Sequence, residues 1–305
     1  MLMDLKQKLK GYVDLTRAHF APVWPLLFLT GLMLAFKDYN YFSWSLLIRV
    51  ALIGLFGFEA GMVLNDIVDH DLDKLDTNDM KSTNYWRPFK ERPIPSGIIS
   101  LKEAIGVYLL FLIITILLIA TLPFPNSIIL YGFLAYGHGM EAFYQIKKRD
   151  QKYPIAQMLG RTDLTFFPIA GYLCYGFLDP TLILYILFLY PFALAHLGVN
   201  DLVDIENDDA KDLKTITVLY GIKGNIQWNL AFTLIHLVTA SVFFIFEVGF
   251  PGIIGFFIAS ILLLAANFLM LREKTAEMGI KVLPMYHATL LVYILAILID
   301  SFIAL

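Results

Sequence analysis

An all-α integral membrane protein is the fold class that this sequence predicts, from three observations. Hydrophobic residues make up 58% of the 305 positions and charged residues only 16%, whereas soluble domains are about 45–50% apolar. Apolar stretches of about 20 residues, the length that crosses a bilayer, recur along the chain. Lysine and arginine concentrate in alternate connecting segments. We therefore predict one polytopic membrane domain, residues 1–305.

The amino-terminal segment, residues 1–19, is basic and amphipathic. Leu5 and Leu9 alternate with Lys6, Lys8 and Lys10. Because no small-residue cleavage site follows a short apolar core, the pattern predicts a helix lying at the membrane interface rather than a signal peptide.

Nine apolar stretches follow, each long enough to cross the hydrocarbon core of a bilayer. They lie at approximately 20–37, 44–64, 98–122, 124–144, 156–177, 181–200, 224–246, 250–271 and 282–303. We count 19 of the 23 lysines and arginines in the amino-terminal segment and in the loops after the second, fourth, sixth and eighth stretches. The positive-inside rule then predicts a multi-pass cell-membrane protein with a cytoplasmic amino terminus and an outer carboxyl terminus.

One acidic motif occurs twice, after the second and the sixth stretch. Residues 65–73 and 200–208 share five of nine identities at an offset of 135. On a continuous helix, positions i, i+3 and i+7 fall on one face. Each copy would therefore stack three carboxylates, Asp66, Asp69 and Asp73 in the first and Asp201, Asp204 and Asp208 in the second. Both copies are predicted to face the cytoplasm.

Three carboxylates on one face repel one another unless a cation lies between them. Oxygen-only ligands favour a hard divalent ion, Mg²⁺ before Ca²⁺. Mg²⁺ bridging carboxylates to phosphate oxygens would bind a diphosphate and stabilise it as a leaving group, which suits cleavage of an allylic C–O bond. Ten basic residues in the cytoplasmic loops are candidates to neutralise the phosphates: Lys74, Lys81, Arg87, Lys90, Arg92, Lys147, Lys148, Arg149, Lys211 and Lys214.

Three further carboxylates, Glu59, Glu141 and Asp163, fall at or near membrane depth. An ionised carboxylate there costs about 2.5–3.5 kcal/mol unless it is paired or hydrated. We expect each to face a cavity, with Arg161 as a candidate partner. One hypothesis is that Glu141 or Asp163 lines an acceptor pocket and helps to remove a proton; a structural ion pair is the alternative.

Other chemistry-bearing side chains have simpler interpretations. His196 lies one helical turn before Asn200 and either reaches the site or is a hydrogen-bonded core residue. His70 points away from the acidic face of its motif. The single cysteine, Cys174, lies in an apolar stretch and excludes an intrachain disulfide.

Other classes of protein use repeated acidic motifs. A cation-coupled transporter usually places its ion sites near the bilayer midplane, whereas these carboxylates lie at the membrane face. A CDP-alcohol phosphotransferase also pairs aspartates around a metal, but its Gly-x-x-Ala-Arg element does not follow Asp69. An EF-hand would need glycine where Lys74 stands. The transporter and the phosphotransferase remain the alternatives.

Four segments together carry a family resemblance. They are Asn65-Asp66-x-x-Asp69-x-x-x-Asp73, Arg92-Pro93-Ile94-Pro95-Ser96-Gly97, Tyr144-x-x-x-Lys148-Arg149, and Asp201-x-x-Asp204-x-x-x-Asp208 with Lys214-Thr215 and Gly221 after it. In order and spacing these resemble the UbiA superfamily of intramembrane prenyltransferases, from about residue 17 to the end. The chain departs from the family pattern in a longer, more polar segment from Thr77 to Glu91, and at Ala18, Asp212 and Leu213.

The resemblance implies nine helices around a central cavity, with a cytoplasmic cap formed by two Asp-rich loops, residues 65–97 and 201–223. It implies Mg²⁺-dependent transfer of a prenyl group from a polyprenyl diphosphate, geranylgeranyl or longer, to an acceptor within the membrane. We expect a small aromatic acceptor, as in quinone biosynthesis; a chlorin, a haem and a glyceryl phosphate lipid are the alternatives. We do not expect a nucleic acid as a partner.

Site residues follow from the same resemblance. Mg²⁺ would be held by Asn65, Asp66, Asp69, Asp73, Asp201, Asp204 and Asp208. The diphosphate would be bound by Asn65, Arg17, Arg92, Lys148, Lys211 and Asn200. The residues expected to act in catalysis are Asp66, Asp69, Asp201, Asp204 and Tyr144, with Tyr144 near the reacting carbon.

Overall fold

The computed structural model describes residues 5–76 and 81–305, and within them 80% of the chain is helical and no strand occurs. The first four residues of the predicted interfacial segment and residues 77–80 of the first predicted cap loop lie outside the described residues, as does the side chain of Lys81. The all-α prediction is confirmed.

Thirteen α-helices occur in the described ranges. They are α1 Leu5–Leu15, α2 Val23–Asp38, α3 Trp44–Asp69, α4 Lys81–Trp86, α5 Leu101–Ala120, α6 Asn126–Lys147, α7 Ile155–Gly160, α8 Thr162–Leu173, α9 Pro180–Val203, α10 Ile205–Ala210, α11 Ile216–Glu247, α12 Phe250–Arg272 and α13 Ala276–Ala304. A 3₁₀ turn, Leu72–Leu75, follows α3.

Six of these helices are long and apolar enough to cross a membrane: α3, α5, α9, α11, α12 and α13. They indicate a multi-pass membrane protein. The helices at the other three predicted spans are α2, with 16 residues, α6, which is long enough but more polar, and α8, with 12 residues. The prediction of one continuous helix over 156–177 is wrong, because Arg161 separates α7 from α8.

The amino-terminal helix is shorter than predicted. It ends at Leu15, and residues 16–22 form turns in which Arg17 has a left-handed backbone, with φ of 45°. This conformation is costly for a side chain with a Cβ, so surrounding contacts must hold it. Arg17 is buried and its guanidinium hydrogen-bonds to α3, which is the contact that holds it.

Helices α2 and α8 touch through their backbones. A Cβ at Gly31 would lie 1.9 Å from the carbonyl oxygen of Pro168, and one at Gly171 would lie 1.9 Å from that of Phe28. Small residues allow this close approach between membrane helices, where packing rather than water exclusion drives association. The contact fixes α8, and with it Arg161 and Asp163 at its start.

Helix α9 is the most buried of the six membrane spans. Asn225 of α11 donates from its amide to the carbonyl of Gly198 at 2.8 Å, and the indole of Trp228 donates to the carbonyl of Leu194 at 2.9 Å. Polar contacts of this kind orient helices in an apolar surrounding. They hold the end of α9, which carries the second acidic motif.

Candidate functional site

The first acidic motif begins in the last turn of α3. Asn65, Asp66 and Asp69 belong to that helix, but Asp73 lies in the 3₁₀ turn. The prediction of one continuous helix through Asp73 is therefore wrong. The tighter turn places the Asp73 carboxylate against Arg92 and Lys211, contacts that come from outside the motif.

Asp66 is enclosed by two arginines. Arg17 contacts its Oδ1 at 2.9 Å, and Arg87 contacts Oδ1 at 3.0 Å and Oδ2 at 2.9 Å. Arg87 is 3% exposed and also donates to the carbonyl of Asp14 at 2.7 Å. Charge-assisted bonds to both carboxylate oxygens fix the orientation of Asp66.

Asp14 ties the segment after α4 to α1. Its carboxylate accepts hydrogen bonds from the backbone N–H of Phe89 at 2.8 Å and of Glu91 at 3.0 Å. Lys10 lies 5.0 Å from the centre of the Phe89 ring, within cation–π range. The part of the long Thr77 to Glu91 segment that the structure describes is therefore anchored on the amino-terminal helix.

Asp69 pairs with two cations from the end of α6. Lys148 contacts its Oδ2 at 2.8 Å and Arg149 contacts its Oδ1 at 3.0 Å. Both cations were candidates for neutralising phosphate, and here they neutralise the motif itself.

Asp73 and Asp76 share Arg92 and Lys211. Arg92 contacts Asp73 and Asp76 at 2.5 Å each, Lys211 contacts Asp73 at 2.9 Å, and Lys211 also contacts Asp76. Burial would raise the pKa of Asp73, but the charges of Arg92 and Lys211 outweigh it and the pKa is lowered. Burial would likewise lower the pKa of Lys211, yet Asp73 and Asp76 raise it. Asp73 and Lys211 therefore stay charged together.

The second motif is not a continuous helix or an open loop. Helix α9 ends at Val203, Asp204 stands at the break, and α10 carries Asp208. Most of the predicted 201–223 loop is helical, because α10 and the start of α11 fall within it. The carboxylate of Asp201 accepts from the backbone N–H of Ile216 at 2.9 Å, which closes this segment back onto α11.

The two motifs differ in charge balance. Six lysines and arginines contact the first motif and Asp76. Among the described residues, neither Asp201 nor Asp208 forms a salt bridge. Burial, together with the nearby carboxylates of Asp201 and Asp204, raises the pKa of Asp208 well above its ordinary value. Among the described residues, Asp201 and Asp208 therefore lack the paired cations that contact Asp66, Asp69 and Asp73.

One cavity of about 270 Å³ brings the predicted residues together. Its walls include every predicted site residue except Asp66: Arg17, Asn65, Asp69, Asp73, Arg92, Tyr144, Lys148, Asn200, Asp201, Asp204, Asp208 and Lys211. Asp66 lies behind Arg17 and Arg87, both of which do line the cavity. Twelve predicted site residues thus lie in this wall, but the shielding of Asp66 was not predicted.

The donor set suits a hard divalent cation, because carboxylate and amide oxygens from both motifs line one cavity. In the described part of the chain, no three His, Cys, Asp or Glu side chains are grouped closely enough to hold a metal ion. The first motif instead contacts protein cations.

Tyr144 sits between the cations and a second cavity. Its ring centre lies 4.7 Å from the guanidinium of Arg161 and 5.2 Å from the ammonium of Lys148. A Cβ at Gly160 would collide with the Tyr144 ring at 2.8 Å, so the glycine makes room for it. The second cavity, of about 150 Å³, is largely apolar, and Arg161 and Glu141 line both cavities.

The three carboxylates at membrane depth differ in their surroundings. Glu141 accepts hydrogen bonds from Asn65 and Gln145, each at 2.6 Å. Asp163 lies 3.9 Å from Arg161, the partner expected from the sequence, and lines the apolar cavity. Glu59 lines neither cavity, and its oxygens have no hydrogen-bond partner among the described residues. The expectation that Glu59 faces a cavity therefore stays a prediction.

Two groups of residues at the site escaped sequence analysis. Arg87 was one of ten candidate cations with nothing to single it out. Tyr85 and His287 carried no pattern at all, yet Tyr85 hydrogen-bonds to His287 and His287 to His196. These pairs are separated by 202 and 91 positions, so no local spacing could have predicted them.

Comparison with known proteins identifies the family. A model described as the UbiA prenyltransferase family matches residues 23–298. This chain belongs to the UbiA prenyltransferase family, as its motifs predicted.

Two curated relatives match over different lengths. A 4-hydroxybenzoate octaprenyltransferase of Vibrio atlanticus strain LGP32 is 31% identical over 151 residues, covering 48% of this chain and 46% of the relative. The chain thus aligns with less than half of that protein. A digeranylgeranylglyceryl phosphate synthase of Korarchaeum cryptofilum strain OPF8 is 26% identical over 301 residues, covering 97% and 98%.

Solved structures share the fold. A UbiA homologue from Archaeoglobus fulgidus, bound to DMAPP and Mg²⁺, superposes with a TM-score of 0.68 at 17% identity, over 94% of this chain and 99% of the other. A structure of digeranylgeranylglyceryl phosphate synthase gives a TM-score of 0.67 at 21% identity, over 96% and 98%. The described helices therefore form a UbiA-like fold.

Proposed function

We propose that this protein is a Mg²⁺-dependent prenyltransferase, which ionises a polyprenyl diphosphate and transfers its prenyl group to an acceptor within the membrane. The observation that carries the proposal is a single cavity walled by both acidic motifs and ringed by lysines and arginines. A diphosphate needs that combination, since carboxylates alone would repel it. Family membership and the Mg²⁺-bound relative support the same chemistry.

Each motif supplies ligands to the donor site. Asp201, Asp204 and Asp208 would hold Mg²⁺ at the second motif, and Asn65, Asp69 and Asp73 would hold it at the first. Asp66 would join them once Arg17 and Arg87 release its carboxylate. Bound Mg²⁺ neutralises the diphosphate and stabilises it as a leaving group. The Asp73 and Asp69 carboxylates must exchange protein cations for metal when the donor enters.

The cations now paired with the first motif then serve the diphosphate. Arg17, Arg92, Lys148 and Lys211 all line the cavity. Released from the carboxylates, they bind phosphate oxygens, and Asn200 adds an amide donor. Tyr144 faces the reacting carbon from the boundary with the apolar cavity, where its ring shields the developing cation.

We propose an aromatic acceptor, such as a hydroxybenzoate, with a geranylgeranyl or longer donor. Partial matches to 4-hydroxybenzoate octaprenyltransferases support this choice. The apolar cavity, with Phe58, Phe166 and Phe167 in its wall, suits an aromatic ring or an isoprenoid chain. Arg161, at its boundary, is placed to attract an anionic group on the acceptor. Glu141 and Asp163 would line the acceptor pocket.

A glyceryl phosphate lipid is the second candidate acceptor. The end-to-end match to a digeranylgeranylglyceryl phosphate synthase favours it. Its hydroxyl oxygen, rather than a ring carbon, would attack the allylic cation. The same Arg161 would then meet a phosphate instead of a carboxylate.

The membrane arrangement belongs to the same proposal. Nine helices surround the cavity, α2, α6 and α7–α8 acting as crossings beside the six apolar spans. The acidic loops form a cytoplasmic cap, the amino terminus lies on the cytoplasmic side, and the carboxyl terminus lies outside. Charge distribution along the chain supports this orientation.

An acceptor panel tests the function. Purified protein is incubated with geranylgeranyl diphosphate and either 4-hydroxybenzoate or geranylgeranylglyceryl phosphate, with Mg²⁺ or with EDTA. We expect a prenylated product from one acceptor, formed only with Mg²⁺. Absence of product and of diphosphate release from both acceptors would contradict the proposal.

A further inference from the structure

Two histidines and a tyrosine form a hydrogen-bonded chain from the cavity wall to the protein surface. His196 Nε2 lies 2.8 Å from His287 Nε2, and His287 Nδ1 lies 2.6 Å from the Tyr85 hydroxyl. Both histidines line the cavity that holds the acidic motifs. Tyr85 is partly exposed, and its backbone carbonyl contacts the exposed His19. This hydrogen-bonded chain therefore begins in the cavity wall and ends near solvent.

The free end of the chain is His196 Nδ1. In the described part of the protein no hydrogen bond reaches this atom. A nitrogen with an open lone pair in a cavity wall is available to take a proton from a bound molecule. Glu141, which lines the same cavity, already accepts two hydrogen bonds at its Oε1, from Asn65 and Gln145.

We propose that His196, His287 and Tyr85 are a relay that removes the proton which the acceptor loses on prenylation. This inference rests on the proposed transferase function and names the base for it. Either acceptor class loses one proton, from a ring carbon or from a hydroxyl group, so the relay serves both. His196 is the catalytic residue, and His287 and Tyr85 act through it.

The proton transfer balances when all hydrogen bonds of the relay point in one direction, from His196 towards water. Before transfer, His196 Nε2–H donates to His287 Nε2, His287 Nδ1–H donates to the Tyr85 oxygen, and Tyr85 O–H donates to water. As the new bond to the prenyl carbon forms, the acceptor's C–H or O–H bond breaks and its proton passes to His196 Nδ1. Each member passes its own proton onward, and water receives one from Tyr85. Proton exchange with water resets the chain when product leaves.

Aromatic rings pack around His287, the middle member of the relay, and Tyr85 at its outer end stays partly exposed. Phe20, Trp86 and Tyr85 have ring centres 5.7, 5.0 and 5.4 Å from that of His287. Tyr85 and Trp86 belong to α4, in the long segment that departs from the family pattern. Helix α4 therefore supplies Tyr85, one end of the relay, and Trp86, one of the rings that pack against His287.

The test compares three relay variants, His196→Gln, His287→Gln and Tyr85→Phe, with His236→Gln as the matched control. His236 is also a buried histidine bonded to a tyrosine, with Nε2 2.8 Å from the Tyr293 hydroxyl, but it lines neither cavity described here. Diphosphate release, prenylated product and free prenyl alcohol are measured with geranylgeranyl diphosphate and Mg²⁺, using 4-hydroxybenzoate and geranylgeranylglyceryl phosphate as acceptors.

We expect the relay variants to lose about 10- to 100-fold in product per diphosphate released, because cation still forms but water captures it when the acceptor keeps its proton. His236→Gln should leave that ratio unchanged. Tyr85→Phe removes one oxygen atom near the surface, so it tests the relay without loss of the fold. An unchanged ratio in the three variants, or an equal change in His236→Gln, would overturn the relay. Wild-type protein that releases no diphosphate with either acceptor would instead overturn the transferase function.

Discussion

The guanidinium of Arg87 contacts both carboxylate oxygens of Asp66, at 3.0 and 2.9 Å, although the two residues are separated by 21 positions. The same guanidinium reaches the backbone carbonyl of Asp14. One buried cation therefore joins the first acidic motif to the amino-terminal helix and to the segment after α4. The donor site and its cover are mechanically connected.

Replacing Arg87 with glutamine should destabilise the metal-free protein by about 3–5 kcal/mol, because it removes one partner of a buried ion pair. Thermal unfolding of detergent-solubilised protein measures the effect. Lys74→Gln is the control, since Lys74 is 55% exposed and, among the described residues, pairs with the exposed Asp71. Equal melting temperatures for the two variants would contradict the buried pairing.

Removing the carboxylate of Asp14 should loosen the segment after α4. Asp14→Ala removes the hydrogen-bond acceptor of the backbone N–H groups of Phe89 and Glu91, at a cost of about 0.5–1.5 kcal/mol for each hydrogen bond. Hydrogen exchange of residues 81–92 should accelerate, while Asp71→Ala at an exposed position should leave it unchanged. Unaltered exchange in Asp14→Ala would show that other contacts hold the segment.

Gly31→Ala should destabilise the protein by about 1–3 kcal/mol through overpacking, since its Cβ would meet the Pro168 carbonyl. Gly132→Ala is the matched control on another helix, because nothing lies within 4 Å of its would-be Cβ. Melting temperatures of both variants decide the matter. A fall for both, or for neither, would contradict the backbone contact of α2 with α8.

Replacing lysines inside and outside the cavity distinguishes direct phosphate binding from general attraction by surface charge. Lys148→Ala and Lys211→Ala should each weaken binding of geranylgeranyl diphosphate by about 10- to 100-fold, the worth of a charge-assisted hydrogen bond. The exposed Lys223 is the control position. Isothermal titration with Mg²⁺ present gives the affinities. Equal affinity of Lys223→Ala and Lys211→Ala would indicate that only general attraction operates.

Much of the fold was predictable because each membrane-spanning helix requires an apolar stretch of matching length in the sequence. Helices occur at all of the predicted apolar stretches in the described residues, including α9, α12 and α13. The sequence did not predict where helices are interrupted. Arg161 breaks a stretch that reads as continuous, and the left-handed Arg17 ends the first helix early. Both residues are held by contacts with distant helices, which a local pattern does not contain.

The site was predictable in its members and not in its pairings. Repeated spacing identified the acidic motifs, and family motifs identified Lys148 and Lys211, all of which reach the cavity except Asp66. The partners of these residues depend on long-range packing: Lys211 meets Asp73 across 138 positions. For the same reason, the contact between His196 and His287 could not be predicted from local spacing.

Mg²⁺-dependent binding of radiolabelled geranylgeranyl diphosphate tests the central claim most directly, that both acidic motifs build one donor site. Wild-type protein is compared with Asp66→Asn, Asp201→Asn and, as the control, Asp209→Asn, whose residue is exposed beside the second motif. We predict binding that requires Mg²⁺, that is lost in the first two variants and that persists in the third. Binding without metal, or binding that survives both Asp66→Asn and Asp201→Asn, would contradict the shared site.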